Sequence, residues 1–426
     1  MKKILSTLSG LLLSLAFTLL LIEAGLRFFP KVIPLDLLIQ FNDKPRTEIA
    51  RRVGLKTKGE TILLNRDDGG PELRIFKPYT TVVWPIEDDG TFSVVVMDKN
   101  GFCNPPAEAA ATQVEIITLG DSFTWCHAVD PQAAWAGQLA RLTGRPVYNL
   151  GLGGIGPYEY IQLLKKFGLP RSPRLVIMNI YEGNDLRDVA RYYYHRLYHQ
   201  DDEPVTAAAP TPPAGVAVDG AGWLGNYSYA YNLALATKRY WAESDPAPAP
   251  ITGAAGSDSP SKAENFRYRL VFPTQTVEFN PDNADTDEIE YARQLYQQEL
   301  KFEVLAALRQ PLEEFVTLAR QEKFIPVVTY TPSAYTAYEA VVAFEDPALA
   351  EVMPWFSRRQ RDFLAGQAQE LGYTFIDLTP ALQAAAHARG ASELLYYRYD
   401  LHLTVAGHAV VAETLGQTLP ELNLLQ

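Results

Sequence analysis

Four short stretches of the sequence carry the residue types that acyl transfer requires. They are GDSF at Gly120–Phe123, NLGLGGIGPYEY at Asn149–Tyr160, GND at Gly183–Asp185 and DLHLTVAGH at Asp400–His408. A hydroxyl nucleophile needs a nearby base, and the base needs an acceptor that fixes its tautomer. Ser122 supplies the hydroxyl, His402 can take its proton, and Asp400 can hold the imidazole. Together these residues predict attack by a serine on an acyl carbon.

The same attack creates a negatively charged oxygen, which needs hydrogen-bond donors already aimed at it. The backbone amides of Ser122 and Gly154 and the side-chain amide of Asn184 are the predicted donors. One such donor lowers the barrier by about 3 kcal/mol. The sequence therefore predicts an oxyanion hole beside the nucleophile.

Each stretch has a plainer interpretation when it is taken alone. Ser122 can cap the following helix, GND can be a simple turn, and Asp400–His402 can be a loop with a solvated histidine. The glycine-rich stretch can cradle a phosphate, but it lacks the Lys-Ser/Thr ending of a P-loop. The combination and its order in the chain favour acyl transfer.

Four other histidines and one aspartate are weaker candidates. His127 lies shortly after the nucleophile, where local chain geometry favours a place in the cleft wall over the role of base. His195 and His199 have the i, i+4 spacing of a metal pair, but no third ligand accompanies them. His408 is interpreted as structural, and Asp377 ends a strand without a partner that the sequence identifies. We predict no metal and no cofactor.

An alternation of strands and helices must position these stretches. The run Val114–Leu119 is apolar and largely β-branched, and Gly120 follows it, so it predicts a buried strand that ends in a sharp turn. Further strands are predicted at Pro146–Leu150, Leu175–Ile180, Ile325–Tyr330 and Tyr373–Ile376, and helices near Pro131–Leu142, Pro157–Phe167, Asp287–Glu322, Trp355–Leu371 and after Thr404. Strands separated by helices indicate a mostly parallel sheet, whose carboxyl ends carry the chemistry.

The alternation divides the chain into three predicted parts. Residues 114–426 form the main domain, with an insertion at about 201–283 that is rich in Ala, Pro, Gly and Ser. Residues 26–113 are a linker and a β-rich extension, with strand-like runs at Leu73–Trp84 and Phe92–Met97. Residues 1–25 are a cytoplasmic tip and a membrane anchor.

The membrane anchor is predicted from charge and length. Lys2 and Lys3 precede Ile4–Ile22, a run of 19 residues without charge, and Glu23 follows it. As a helix this run spans roughly 28 Å, close to the thickness of a hydrocarbon core. The basic residues favour an N-terminus inside the cell and the remainder outside the cytoplasm. We expect an uncleaved single-pass transmembrane helix, with a cleaved signal peptide as the alternative.

Composition narrows the class of protein further. The 426 residues carry a formal net charge of −12, which argues against a nucleic-acid partner because phosphate binding needs basic surface. The two cysteines, Cys103 and Cys126, exclude a scaffold built from several disulfides and a four-cysteine zinc module.

The four stretches give the chain a resemblance to the SGNH, or GDSL, hydrolase superfamily. The matching residues are Ser122 in GDSFT, Gly154 in NLGxGGxGP, Asn184 in GND and His402 in DxHLTxxGH, within Asp98–Thr418. The resemblance implies a flavodoxin-like three-layer α/β/α fold and ester hydrolysis or acyl transfer through an acyl-serine. A signal anchor before such a domain is similar to bacterial envelope members of the periplasm or cell surface, including relatives of alginate O-acetyltransferases.

Two departures from the family pattern stand out. Many members carry Asp three residues before His, whereas position 399 is tyrosine here and Asp400 lies two residues before His402. Envelope relatives commonly read GFR and GDSFTWG where this chain has cysteines, in GFC at Gly101–Cys103 and in GDSFTWC. Because disulfides persist outside the cytoplasm, we hypothesise a Cys103–Cys126 disulfide; the alternative is two buried thiols.

Three functions remain open from the sequence. The leading prediction is a serine esterase that hydrolyses an ester, in particular an O-acyl or O-acetyl bond. An O-acetyltransferase would use the same residues and pass the acyl group to a polysaccharide hydroxyl. A catalytically silent protein would bind a glycan or a protein through its aromatic cleft. The expected partner is an ester-bearing small molecule or glycan.

Overall fold

The computed structural model describes residues 2–34, 61–64, 73–86, 91–198, 227–243, 267–279, 286–298 and 302–425, with the single positions 37, 41, 45, 49, 66, 88 and 225. Its strands are β1 Thr61–Leu64, β2 Leu73–Phe76, β3 Thr81–Ile86, β4 Thr91–Val96, β5 Ile116–Leu119, β6 Val147–Asn149, β7 Leu175–Tyr181, β8 Tyr268–Val271, β9 Thr276–Phe279, β10 Ile325–Thr331, β11 Val342–Phe344 and β12 Thr374–Asp377. Its α-helices are α1 Lys2–Phe28, α2 Pro106–Ala110, α3 Trp135–Thr143, α4 Pro157–Leu163, α5 Asp185–Tyr198, α6 Tyr229–Glu243, α7 Thr286–Gln297, α8 Phe302–Glu322, α9 Ala334–Ala337, α10 Leu349–Leu371, α11 Thr379–Arg389 and α12 Val405–Glu421. A π-helical turn at Leu164–Gly168 and a 3-10 turn at Leu169–Arg171 extend α4, and further 3-10 turns lie at Pro30–Val32 and Gly390–Ser392.

The described residues fall into two units. One lies within Met1–Gly59, Thr81–Pro85 and Glu203–Ser259, and the other lies within Glu60–Thr80, Ile86–Asp202 and Pro260–Gln426. All the residues of the predicted catalytic site belong to the second unit.

A five-stranded parallel sheet forms the centre of the second unit. Its order is β12-β10-β7-β5-β6, which is the 2-1-3-4-5 order of flavodoxin-like folds when its strands are numbered along the chain. Every residue of β5 and β7 is buried, because both faces of a parallel sheet are covered by helices. The predicted parallel α/β sheet is present.

The helices of this unit form two groups. One group contains α4, α5, α8 and α10, and the other contains α3, α11 and α12, with α12 packed along α3. Because βαβ crossovers are right-handed and the chain reverses direction after β6, α3 lies on the opposite face from α4 and α8. The sheet is therefore the middle of three layers.

The observed elements differ from the predicted ones at three places. The predicted helix Asp287–Glu322 is two helices, α7 and α8, and the helix predicted at Trp355–Leu371 begins earlier, at Leu349. The end of the predicted insertion contains β8 and β9, which pair antiparallel with each other and, through β8, with β11. Most of the Pro- and Ala-rich sequence of the insertion lies outside the described residues.

The structure of the first unit contradicts the predicted membrane anchor. Within the described part of the chain, no helix combines the length and the apolar character that crossing a membrane requires. The predicted transmembrane helix is therefore wrong, and so is the membrane-anchored localisation that rested on it. The prediction rested on the uncharged run Ile4–Ile22 and the charges that flank it, whereas α1 continues through Glu23 and Arg27 and packs on α6. The Glu23 carboxylate accepts the backbone N–H groups of Tyr229 and Ala230 at the start of α6, at 3.1 and 2.9 Å.

Candidate active site

The turn that carries Ser122 begins where β5 ends. The Asp121 carboxylate accepts the Phe123 amide at 2.9 Å, and the Asp121 carbonyl accepts the amides of Thr124 and Trp125 at 3.1 and 2.9 Å. Gly120 is required because an added Cβ would lie 2.0 Å from the Thr124 hydroxyl oxygen. These contacts hold Ser122 half-buried at the carboxyl end of the sheet, where chemistry is located in such folds.

The glycine-rich turn after β6 lies directly beside this turn. Leu152 donates its amide to the Gly120 carbonyl at 3.1 Å. A Cβ built on Gly153 would lie 3.6 Å from the Ser122 Cβ. Gly154 follows with a φ of +79°, which favours glycine, and both Gly153 and Gly154 are exposed. An exposed, glycine-only backbone at this place allows a ligand to approach Ser122.

Two backbone amides at these turns are available for an acceptor. Among the residues that the structure describes, neither the Ser122 amide nor the Gly154 amide has a hydrogen-bond partner. Both amides belong to loop residues and neither residue is buried. They match the unpaired donors expected of an oxyanion hole.

Asn184 lies after the end of β7, immediately before α5. Its side-chain nitrogen donates to the Asp188 carboxylate at 2.9 Å, one helical turn further along. A side-chain amide has two N–H donors, so this bond fixes the side chain and leaves the second donor for another acceptor. Burial raises the pKa of Asp188, although Arg191 and Arg187 oppose this effect.

His402 is held by the residue two positions before it. Its Nδ1 lies 3.0 Å from the Asp400 backbone carbonyl oxygen and 3.6 Å from the nearer oxygen of the Asp400 carboxylate. A carbonyl oxygen only accepts, so Nδ1 carries the proton and Nε2 has the lone pair. Leu401 makes this approach possible through its φ of +65°, which turns the chain sharply between the two residues.

The Asp400 carboxylate has a second histidine partner. Its Oδ2 lies 2.8 Å from His127 Nε2, and its Oδ1 accepts the backbone amide of His402 at 3.1 Å. The rings of His127 and His402 are stacked, with centroids 3.6 Å apart and planes inclined by 16°. The predicted triad is thus a cluster of one carboxylate with two imidazoles.

The charges of this cluster follow from burial and hydrogen bonding. Burial, together with the neighbouring His402, lowers the pKa of His127 to about 4, so this imidazole is neutral at pH 7. Burial by itself would raise the pKa of Asp400, but hydrogen bonds from His127 and His402 outweigh it and hold the pKa below its usual range. Behind the nucleophile, burial raises the pKa of Asp121 to about 7.

Phe123 connects the turn that carries Ser122 to His402. Its ring stacks on His402 with a centroid separation of 4.9 Å and on Tyr181 with a separation of 3.5 Å. Ser122, next to Phe123 in the chain, has no hydrogen bond to His402 among the described residues. Catalytic hydrogen bonds are often long before substrate binds and tighten in the complex.

The structure contains the predicted Cys103–Cys126 disulfide, with Cα atoms 6.1 Å apart. It ties the segment before β5 to the residue that precedes His127. The same segment is anchored by Asn104, which donates to the Asn149 carbonyl at 3.0 Å and accepts the Asn149 amide at 2.7 Å. The disulfide therefore ties the residue before His127 to a segment that is itself hydrogen-bonded to β6.

The weaker sequence candidates have structural contacts. His408 Nδ1 accepts the Trp135 amide at 3.2 Å at the start of α3, and burial lowers the pKa of His408 to about 3. Asp377 accepts the Thr379 amide at 2.9 Å and pairs with Arg361 at 3.2 Å. The side chain of His195 and all of His199 lie outside the described residues.

The cluster also has the donor set of a metal site. His127, Asp400 and His402 each offer one ligand atom within 4.8 Å of the others. Two imidazoles and a carboxylate suit Zn²⁺, but the Nε2 atom of His127 is already bonded to Asp400 at 2.8 Å. The arrangement fits proton transfer better than metal coordination.

Sequence reasoning missed two residues of this site. His127 was assigned to the cleft wall, and its bond to Asp400 joins residues 273 positions apart. Asp188, which holds Asn184, was not identified, although its i, i+4 spacing from Asn184 is a signal that could have found it.

A cavity of about 710 Å³ between the β8–β9 turn, α9 and α11 includes none of the predicted catalytic residues.

No protein-family model and no curated protein matches the chain. Among solved structures, it is similar to a lipolytic protein of the G-D-S-L family from Desulfitobacterium hafniense, at 12% identity and a TM-score of 0.34 over 72% of this chain and 100% of that chain. It is also similar to the acetylxylan esterase Axe2 from Geobacillus stearothermophilus, at 13% identity and a TM-score of 0.35 over 73% of this chain and 95% of that chain. A third is TesA, at 11% identity and a TM-score of 0.35, over 72% of this chain and 99% of that chain. At these TM-scores the likeness assigns no role to any residue.

Proposed function

We propose that this protein is a serine esterase of the SGNH/GDSL type, which cleaves esters through an acyl-serine intermediate. The observation that carries the proposal is the bond from His402 Nδ1 to the Asp400 carbonyl oxygen at 3.0 Å. This bond places the lone pair on Nε2, while the ring rests on Phe123, the neighbour of Ser122. A neutral imidazole held in this tautomer is the base that a serine nucleophile needs.

The first half of the reaction forms the acyl-enzyme. The Ser122 hydroxyl oxygen attacks the ester carbonyl carbon, and its proton moves to His402 Nε2. The negative charge on the carbonyl oxygen is bound by the Ser122 amide, the Gly154 amide and the free N–H of Asn184. The tetrahedral adduct then releases the alcohol, which takes the proton from His402.

The second half repeats these steps with water. His402 Nε2 takes a proton from water as its oxygen attacks the acyl-serine carbonyl, and the same donors bind the oxyanion. Breaking the bond to Ser122 returns the proton to the serine oxygen and frees the carboxylic acid. The Asp400 carboxylate stabilises the imidazolium that forms in both halves, since its nearer oxygen lies 3.6 Å from Nδ1.

Covalent labelling of the full-length chain with a fluorophosphonate tests this proposal. We expect the label on Ser122 by mass spectrometry, no label in Ser122→Ala, and a rate lower by about 10²- to 10⁴-fold in His402→Ala. His387→Ala is the control, because this histidine is exposed on α11. Treatment with EDTA should leave the rate unchanged, since no step uses a metal. Equal labelling of Ser122→Ala, or no labelling of folded wild type, would contradict the proposal.

A further inference from the structure

The hydrogen bonds of the Asp400 carboxylate distinguish this site from the usual triad. The two carboxylate oxygens are held by two different N–H groups, Oδ2 by His127 Nε2 at 2.8 Å and Oδ1 by the His402 amide at 3.1 Å. The His402 Nδ1 donates to the carbonyl oxygen of Asp400 at 3.0 Å, and the nearer carboxylate oxygen lies 3.6 Å from it. In the usual triad the carboxylate itself accepts this N–H.

We propose that His127 is a positioning residue of the esterase reaction, whose Nε2–H fixes the Asp400 carboxylate and thereby decides which oxygen of Asp400 orients the base. This inference rests on the proposed function of Ser122 and His402. The role requires a donor, because an ionised carboxylate only accepts hydrogen bonds. His127 is suited to it, since its side chain is 6% exposed and remains neutral at pH 7.

His127 itself is poorly placed to act as the base. Its Nε2 is engaged with Asp400, and its ring is more buried than that of His402, with 6% of the side chain exposed against 19%. Its backbone is held from both sides, by the disulfide at Cys126 and by Ala128, whose φ is +56°. These restraints keep the imidazole in one place relative to Asp400.

Four titratable groups surround the His127–Asp400 pair, namely His402, His408, Asp121 and Asp88. His402 acts on His127 from the loop before α12, and both imidazoles act on His408 in α12. His402 also acts on Asp121 beside Ser122, and Asp400 acts on Asp88. Loss of the His127 donor removes its hydrogen bond to Asp400 and leaves the charges of the other groups in place.

Removal of this donor should make the Asp400 carboxylate a stronger partner for His402. The freed carboxylate can turn toward His402 Nδ1, which stabilises the imidazolium relative to the neutral ring. Since the reaction needs neutral His402, the acid limb of the rate profile should then move to higher pH. A residue that only fills the cleft wall would change the rate without moving the limb.

Two variants separate the donor from the ring. His127→Phe keeps a planar ring against His402 and removes the donor, whereas His127→Gln places an amide N–H near the position of Nε2. We expect the acid limb of fluorophosphonate labelling in His127→Phe to lie about one pH unit above that of wild type, and the limb of His127→Gln to match wild type. Circular dichroism checks that both variants are folded.

A second readout does not depend on activity. In full-length Ser122→Ala protein labelled with ¹⁵N-histidine, the His402 ring is titrated by NMR with and without His127→Phe, and His402→Ala assigns its signals. An upward move of the His402 midpoint in His127→Phe supports the positioning role even if no labelling occurs, in which case only the esterase assignment fails. The role of His127 would be overturned if His127→Phe changed neither the NMR midpoint of His402 nor the acid limb of labelling. It would also be overturned if His127→Phe and His127→Gln gave the same acid limb.

Discussion

The side-chain amide of Asn184 donates to the carboxylate of Asp188 across 2.9 Å, one turn along α5. Because this bond aims the remaining N–H of the amide, both residues should affect the oxyanion, but to different degrees. Asn184→Ala should slow labelling by about 10²- to 10³-fold. Asp188→Ala should cause a smaller loss, on the order of 10-fold, because the amide is present but no longer held. Asp188→Asn keeps an acceptor and should stay closer to wild type; equal rates for all four proteins would show that Asn184 takes no part.

Gly151 and Gly154 offer a matched pair in the same turn. A Cβ on Gly151 would lie 2.4 Å from the Trp125 nitrogen, whereas one on Gly154 would meet no heavy atom within 4 Å. Gly151→Ala should therefore displace the nucleophile turn, lower the free energy of unfolding by about 3 kcal/mol and reduce labelling. Gly154→Ala keeps its N–H and should lose only about 1–2 kcal/mol, for its φ of +79°. Urea unfolding and the labelling rate measure both effects, and a milder effect in Gly151→Ala would contradict the packing described here.

The Cys103–Cys126 disulfide should stabilise the fold. The two cysteines are 23 residues apart and are the only cysteines of the chain, so a reducing agent acts on this bond alone. Reduction should lower the free energy of unfolding by about 3 kcal/mol, and it should slow labelling because Cys126 precedes His127. A Cys103→Ser/Cys126→Ser double variant is the control and should not respond to reductant. Two thiols that react with an alkylating agent in the unreduced, folded protein would show that the bond does not form.

His408 should make stability depend on pH. Burial lowers its pKa from the usual 6.5 to about 3, so between these values the unfolded state binds a proton that the folded state does not. The contribution of His408 to the free energy of unfolding is therefore fully present above pH 6.5 and falls as the pH decreases toward 3. Between pH 7 and pH 4 this contribution is about 3 kcal/mol, and His408→Gln should lack it while still accepting the Trp135 amide. Denaturant unfolding at both pH values measures the difference, with His387→Gln as the control; an identical loss in wild type and His408→Gln would exclude His408 as the cause.

The sheet could be predicted from the sequence because its strands are short apolar runs between helical segments. β5, β7, β10 and β12 all begin and end within two residues of their predicted bounds. The break between α7 and α8 was missed because the sequence on both sides has helical spacing. The membrane helix was predicted wrongly: the prediction rested on the uncharged run Ile4–Ile22, and none of the helices in the described part of the chain could span a membrane.

The residues of the candidate site could be predicted from the sequence, but the hydrogen bonds that join them could not. Ser122, Gly154, Asn184 and His402 belong to local motifs, which a single sequence reveals. The bond from His127 to Asp400 depends on two segments that meet only in the folded chain. The Asp400 carbonyl oxygen can accept the His402 Nδ1 proton because Leu401 has a positive φ. A positive φ cannot be predicted from a leucine side chain.

The positive φ of Leu401 also has a consequence for how this chemistry can be re-engineered. The proton on His402 Nδ1 is fixed within three consecutive residues, whether the carbonyl or the carboxylate of Asp400 accepts it. The three residues Asp400, Leu401 and His402 therefore determine by themselves which ring nitrogen of the histidine is protonated. An Asp-Leu-His tripeptide placed in a loop of another protein with the same backbone conformation would keep the proton on Nδ1. The host protein would need to supply the serine, the oxyanion donors and a hydrogen-bond donor for the Asp400 carboxylate.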